Sequence, residues 1–151
     1  MVTDRRSRRP ARPVHSVRDR RTRTVAASPA LRVLAASGLA VDAYVHADLA
    51  PSYAGSSVQS LFLVEAGFAV GAALLVLGST RRGAHVFAAS VALSALVAVV
   101  TYRYADPGAL GPLPDLFEPV WYPEKVIAAV AETVAVVATL LLLVRPPSRS
   151  G

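Results

Sequence analysis

Four ionisable side chains stand in stretches that are otherwise apolar. Asp42 and His46 lie in the run 30–50, Glu65 in the run 58–78, and Glu132 in the run 126–144. A spacing of four residues puts Asp42 and His46 on one helical face, where their side chains meet. An imidazole beside a carboxylate exchanges protons near neutral pH. One imidazole with up to three carboxylates is also a donor set for Zn²⁺, Mn²⁺ or Fe²⁺. A purely structural arrangement is the third option. In it Asp42 holds His46, while Glu65 and Glu132 pair with Arg103 or Lys125, whose long stems can reach from a membrane edge. The spacing leaves these open: a proton-coupled or quinone-binding pocket, a metal site, or a set of buried ion pairs. No Glu-x-x-His or His-x-x-x-His pair accompanies the four residues, so the metal, if any, and any other cofactor stay unidentified.

The elements that must position these side chains are four apolar runs, at residues 30–50, 58–78, 84–102 and 126–144. A helix needs about 20 apolar residues to cross a bilayer. Nothing in the runs alternates with period two, and a segment in hydrocarbon must satisfy its own backbone, so helix is the expectation. Apolar residues make up 54% of the chain and charged residues 17%, below the quarter usual in soluble domains. A soluble bundle would need polar faces that the second and third runs lack. The predicted fold is all-α: a four-transmembrane-helix bundle over residues 30–145, an Arg-rich disordered tail at 1–29 and a short tail at 146–151. The absence of cysteine excludes disulfides, thiolate metal sites, thiol catalysis and iron–sulfur clusters.

Charge gives the bundle a direction. Residues 1–29 carry nine arginines against Asp4 and Asp19, a net +7, whereas the remainder of the chain sums to −1. The basic tail, the Arg81-Arg82 turn and the tail bearing Arg145 and Arg149 fall on one side. The loop 103–125 on the other side holds Asp106, Asp115, Glu118 and Glu124. The positive-inside rule makes the arginine side cytoplasmic, with both termini there. Tyr53, Tyr102, Tyr104, Trp121 and Tyr122 are then expected at the outer interface. The Ala/Val/Leu/Arg-rich composition suits a high-GC bacterium, and the expected location is the bacterial cytoplasmic membrane. The tail is expected to set topology and touch anionic lipid. No aromatic residues interleave its arginines to stack on bases, so no nucleic acid is expected as a partner. Asp42 interrupts the first apolar run, which argues against a cleaved signal peptide.

With about 1.5 Å of rise per residue, Asp42 lies about 12 Å from the outer end of its span, Glu65 about 10 Å, Glu132 about 9 Å and His46 about 6 Å. Three helices therefore place ionisable groups in one outer layer. Each helix also offers a stripe of small and polar residues for an inward face: Ala35, Gly38, Asp42 and His46; Glu65, Ala69 and Ala72; Ser90, Ser94, Ala98 and Thr101; Lys125, Ala128, Glu132 and Thr139. Gly67 and Gly71, with Gly78 a heptad on, lie on a different face from Glu65. They are expected either to pack closely within the bundle or to form a homodimer contact. The loop 103–125 carries prolines at 107, 112, 114, 119 and 123, which suits an ordered lid over an outward pocket or a spacer on the membrane surface.

The stretch FLVEAGFAVGAALLVLGSTRRGAHVFAASVALSALVAVV, residues 62–100, resembles the DoxX-like superfamily of small four-helix bacterial membrane proteins. Glu65 early in the second helix, the basic Arg81-Arg82 turn and the small-residue third helix carry the resemblance, which covers helices one to three. Glu132 and the long outer loop depart from the pattern. The resemblance implies a four-helix membrane fold and, for some members, redox or respiratory-chain work with a membrane redox partner. No nucleophile motif, phosphate-binding glycine loop or dinucleotide fingerprint is present, so an enzyme is not the expectation. The expected function is a membrane protein with an outward-facing His/carboxylate pocket for a ligand, proton, metal or partner protein. The alternative is a subunit of a membrane oxidoreductase or quinone-linked complex.

Overall fold

A computed structural model of the protein describes residues 27–111 and 114–144. The tail 1–26 and the arginines at 145 and 149 lie outside the described residues. Among the described residues there are four α-helices: α1 (Ala27–Leu49), α2 (Ser57–Gly78), α3 (Arg82–Tyr104) and α4 (Pro123–Val144). A short 3-10 turn, Ala50–Tyr53, follows α1. All four helices are long and apolar enough to cross a membrane. At 22 or 23 residues each they span roughly 33–35 Å, against a hydrocarbon core of about 30 Å.

Helix ends follow local chemistry. Pro123 opens α4, where a missing N–H costs nothing in the first turn. Ser56 caps α2 by accepting from the Gln59 N–H, while the Gln59 side chain accepts from the Gly55 N–H at 3.0 Å. This reciprocal pairing satisfies two donors at the helix start, and Gly55 can supply it because its φ is +80°. The third and fourth helices start two and three residues before their apolar runs, because Arg82-Gly83 and Pro123-Glu124-Lys125 are already helical. The connection between them is accordingly 105–122 rather than 103–125.

Each helix packs against its two neighbours in the ring α1–α2–α3–α4, with α1 closest to α4 and to α2, and with α2 and α3 least closely packed. The interior is built largely from alanine: Ala35, Ala69, Ala72, Ala88, Ala92, Ala135 and Ala138 are all fully buried. Larger side chains such as Val64, Phe68, Leu74, Val130 and Leu140 face outward. Burying Leu against lipid instead of protein costs nothing, so small residues at helix contacts and large ones on the perimeter are what a lipid solvent selects. Gly38 marks the tightest point. A Cβ built there would lie 2.6 Å from the Ala131 carbonyl oxygen and 3.1 Å from both the Ala135 Cβ and nitrogen. At the end of the molecule carrying Arg81, Arg32 ties α1 to α2. Its Nε donates to the Val76 carbonyl at 2.7 Å and a terminal nitrogen donates to that of Leu77, a cation on a helix C-terminus.

One inward stripe read from the sequence needs correction, and one of the two readings of the α2 glycines is set aside. On α3 the buried residues are His85, Ala88, Val91, Ala92, Ala95 and Tyr102, whereas Ser90 and Thr101 are exposed. Hydroxyls do not require an interior position, because a helix carbonyl satisfies them. Ser90 donates to Val86 O at 3.0 Å and Ser94 to Val91 O at 2.8 Å. On α2, nothing lies within 4 Å of a Cβ built on Gly67, Gly71 or Gly78, so this glycine face does not pack within the chain.

Candidate functional site

The close approach at Gly38 determines where the first two carboxylates meet. Asp42 is one turn further along α1 than Gly38, and Glu132 is the residue after Ala131 on α4. Because α1 and α4 touch there, Asp42, His46 and Glu132 converge, with one ligand atom from each lying within 4.8 Å of the others. Asp42 is 1% exposed and Glu132 fully buried. The His46 Nδ1 sits 3.0 Å from the Asp42 backbone carbonyl and 2.9 Å from Oδ1. Only the carbonyl meets hydrogen-bond geometry as acceptor, so the carboxylate oxygen is in close contact with the imidazole without a hydrogen bond. Both oxygens of Asp42 and both of Glu132 are left with no hydrogen-bond partner. The Phe62 ring meets the imidazole edge-on, with centroids 5.3 Å apart, and so limits its rotation.

A cavity of about 380 Å³ lies beside this cluster, at the end of the helices that carries the 105–122 connection. Its walls come from all four helices and the connection, and are chiefly apolar: Val45, Leu49, Val58, Leu61, Val99 and Leu116 are among them. His46 on α1, Glu65 on α2, Ser94 on α3 and Ala128 on α4 are the deepest or nearly deepest lining residues on their helices. They form its floor. Asp42 and Glu132 lie one turn below the floor. Two buried polar atoms at the cavity lack partners, Glu65 Oε1 at the floor and the Tyr102 hydroxyl near the mouth. About 12 Å of helical rise separates Ser94 from Tyr102, which gives the depth of the cavity.

Asp115, Leu116, Phe117 and Glu118 cover the mouth. This strap is fastened on two sides. The Glu118 N–H donates to the Tyr102 carbonyl at 3.0 Å, and Lys125 Nζ donates to the Glu118 carbonyl at 2.7 Å. Asp115 Oδ1 accepts from the Phe117 N–H at 2.9 Å and tightens the turn between them. Tyr122 closes the α4 side, and its phenol is pushed above the usual tyrosine range by burial, then by Tyr53 and by the charges of Glu118 and Glu124. It therefore stays neutral.

The four predicted pocket residues thus divide. Asp42, His46 and Glu132 form one cluster, and Glu65 stands apart from it on the cavity floor. The charge partners considered for them have other contacts. Lys125 binds the strap and lies 5.0 Å from the centroid of the Tyr122 ring. Arg103 stacks over Tyr104 and Trp121 at 4.9 and 5.6 Å. Among the described residues no Lys or Arg side chain forms an ion pair with Glu65 or Glu132; the close contact between the His46 ring and the Asp42 carboxylate is the one involving these four residues. Tyr102, expected at the interface, is 9% exposed and faces the cavity. Its position i+7 from Ala95 was the available sign that it continues the buried stripe of α3. Phe62 carried no comparable signal, because an apolar residue in an apolar run has no distinguishing pattern.

Compared with known protein families, with curated proteins and with solved structures, the chain finds no significant match in any of the three.

Proposed function

We propose that this protein spans a bacterial cytoplasmic membrane as a four-helix bundle, with both termini inside, and binds a lipid-soluble small molecule in a cavity that faces outward. The apolar cavity with unpartnered polar atoms at both ends carries the reading. An occupant of matching chemistry has an apolar body and polar groups that accept from the Tyr102 hydroxyl and bond with Glu65 or His46. Orientation is supported by Arg81 and Arg82 at one end of the helices and by Asp106, Asp115, Glu118 and Glu124 in the connection at the other. Reporter fusions at Gly111 and after the C-terminal residue are expected to place the connection outside and the C-terminus inside. A cytoplasmic signal at Gly111 would reverse the assignment.

Occupancy has a direct test. The full chain is purified into phosphatidylglycerol/phosphatidylcholine nanodiscs, extracted with organic solvent, and the lipid-soluble compounds beyond the nanodisc lipids are identified by mass spectrometry. One compound is expected near one per chain in the wild type. It should fall at least tenfold in Ala98→Phe, which fills the cavity from α3. Equal recovery from both proteins, or no such compound in the wild type, rejects the reading.

A second reading, a subunit of a membrane oxidoreductase or quinone-linked complex, draws on the imidazole at the cavity floor. His46 reaches both the cavity and the carboxylates below, an arrangement that can pass protons to a reducible occupant. The resemblance of residues 62–100 to DoxX-like proteins supports the same alternative. Loss of quinone-dependent electron transfer in Glu65→Gln, with a redox partner co-purifying, would favour it.

A further inference from the structure

The cavity reading makes no use of the two most deeply buried carboxylates. Asp42 and Glu132 lie below the floor, 1% and 0% exposed, and no protein donor satisfies any of their four oxygens. An unsatisfied buried polar group is costly, and an unpaired buried charge far more so. Hydrogen-bond donors from neighbouring helices are the usual remedy, but among the described residues none bonds to these oxygens; the nearest nitrogen, His46 Nδ1 at 2.9 Å from Asp42 Oδ1, is directed to the Asp42 backbone carbonyl. Arg103 and Lys125 are turned to the rim, and Arg32 to the far end of α2.

We propose that Asp42, His46 and Glu132 form a binding site for one divalent transition-metal ion. Charge is the first argument. Two carboxylates and a neutral imidazole around a dication sum to zero, the charge state that a low-dielectric interior tolerates best. Donor type is the second. A mixed imidazole and carboxylate set suits Mn²⁺, Fe²⁺ or Zn²⁺ rather than the all-oxygen shells that Mg²⁺ and Ca²⁺ favour. Geometry is the third. Metal–ligand bonds of about 2.0–2.2 Å allow ligand atoms at most about 4.4 Å apart. The three donor atoms lie within 4.8 Å of one another, so rotations of the two carboxyl groups bring them into range without moving a helix. Three protein ligands leave coordination positions open, and His46 also borders the cavity, so an open position can face the cavity occupant. The metal site stands beside the cavity reading and shares only His46 with it.

The test uses the full chain in detergent, stripped with chelator and titrated with Mn²⁺ alone, with Zn²⁺ measured in parallel by elemental analysis. One ion per chain is expected for the wild type. Glu132→Gln and Asp42→Asn should each weaken Mn²⁺ binding at least tenfold, while Thr133→Val, on the exposed neighbour of Glu132, should not. A wild type that binds neither ion above the level of the Asp42→Asn/Glu132→Gln double variant overturns the site, as does a double variant that binds like wild type. If the variants do not fold, pulsed electron paramagnetic resonance of wild-type Mn²⁺ decides the matter. Coupling to one imidazole nitrogen is expected, and its absence overturns the site. The co-purified compound is measured on the same preparations, so loss of the metal site and loss of the cavity reading are separate outcomes.

Discussion

Gly38→Ala is expected to lower the thermal stability of the detergent-solubilised protein by about 1–3 kcal/mol, the usual cost of overpacking. Elsewhere the same exchange stabilises a helix by about 0.5–1 kcal/mol, because alanine loses less backbone freedom than glycine. At position 38 the added methyl would meet the Ala131 carbonyl oxygen at 2.6 Å. A backbone oxygen inside α4 cannot yield unless the whole helix moves, so the steric effect exceeds the propensity gain. Gly71→Ala supplies the contrast. Its Cβ meets nothing within 4 Å, so the variant should melt at or slightly above the wild-type temperature. Circular dichroism melts of the two variants side by side would check this. Melting of Gly38→Ala at the wild-type temperature would mean that α1 and α4 are not in close contact at this point. Separating the helices also moves Asp42 away from Glu132, so the same variant should lose metal affinity.

Glu132→Leu is expected to do the opposite for stability. In chelator-treated protein it should raise the unfolding free energy by about 1–3 kcal/mol, the usual cost of a buried polar group left without a hydrogen-bond partner. Glu132 is fully buried and its oxygens have no partner, whereas Leu buries no polar atom. A carboxylate that held the helices together would give the reverse result. A drop in melting temperature for Glu132→Leu would therefore restore the structural role considered for this residue, and remove the reason to assign it a ligand. With Mn²⁺ present the order should invert, because only the wild type gains stability from the bound ion.

How much of this was legible in the sequence differs from helix to helix. On α1, α2 and α4 the inward stripe is marked by side chains that hydrocarbon penalises, namely Asp42, Glu65, Lys125 and Glu132, so periodicity alone located the buried face. On α3 the apparent markers were serine and threonine. Their hydroxyls bond to the preceding turn, so they face outward as readily as inward, and an alanine stripe ending in Tyr102 forms the contact instead. For the glycines of α2 only the reading of close packing within the chain is set aside, because a missing side chain permits close approach but does not require it. The convergence of Asp42 with Glu132 was visible only as a shared depth, since nothing in the sequence says that α1 and α4 are neighbours. The partners of Arg103 and Lys125 were not legible. They depend on the path of residues 114–122, which has no periodicity, and Lys125 binds a loop carbonyl that this path brings within reach.

The loose packing of α2 against α3 has a consequence for selectivity. Ser94 and Ala98, on the α3 side of this seam, line the cavity and are themselves exposed. In the proposed orientation this seam faces the bilayer, and entry through it would make the lipid phase the reservoir from which an occupant is drawn. Acyl chains compete for the same apolar walls at very high concentration, and transfer from lipid to an apolar wall releases no hydrophobic free energy. Discrimination among membrane-soluble molecules then falls on Glu65, His46 and Tyr102. Affinity for such an occupant is properly a mole-fraction quantity, and a dissociation constant referred to water would mostly report how well the molecule partitions into the membrane.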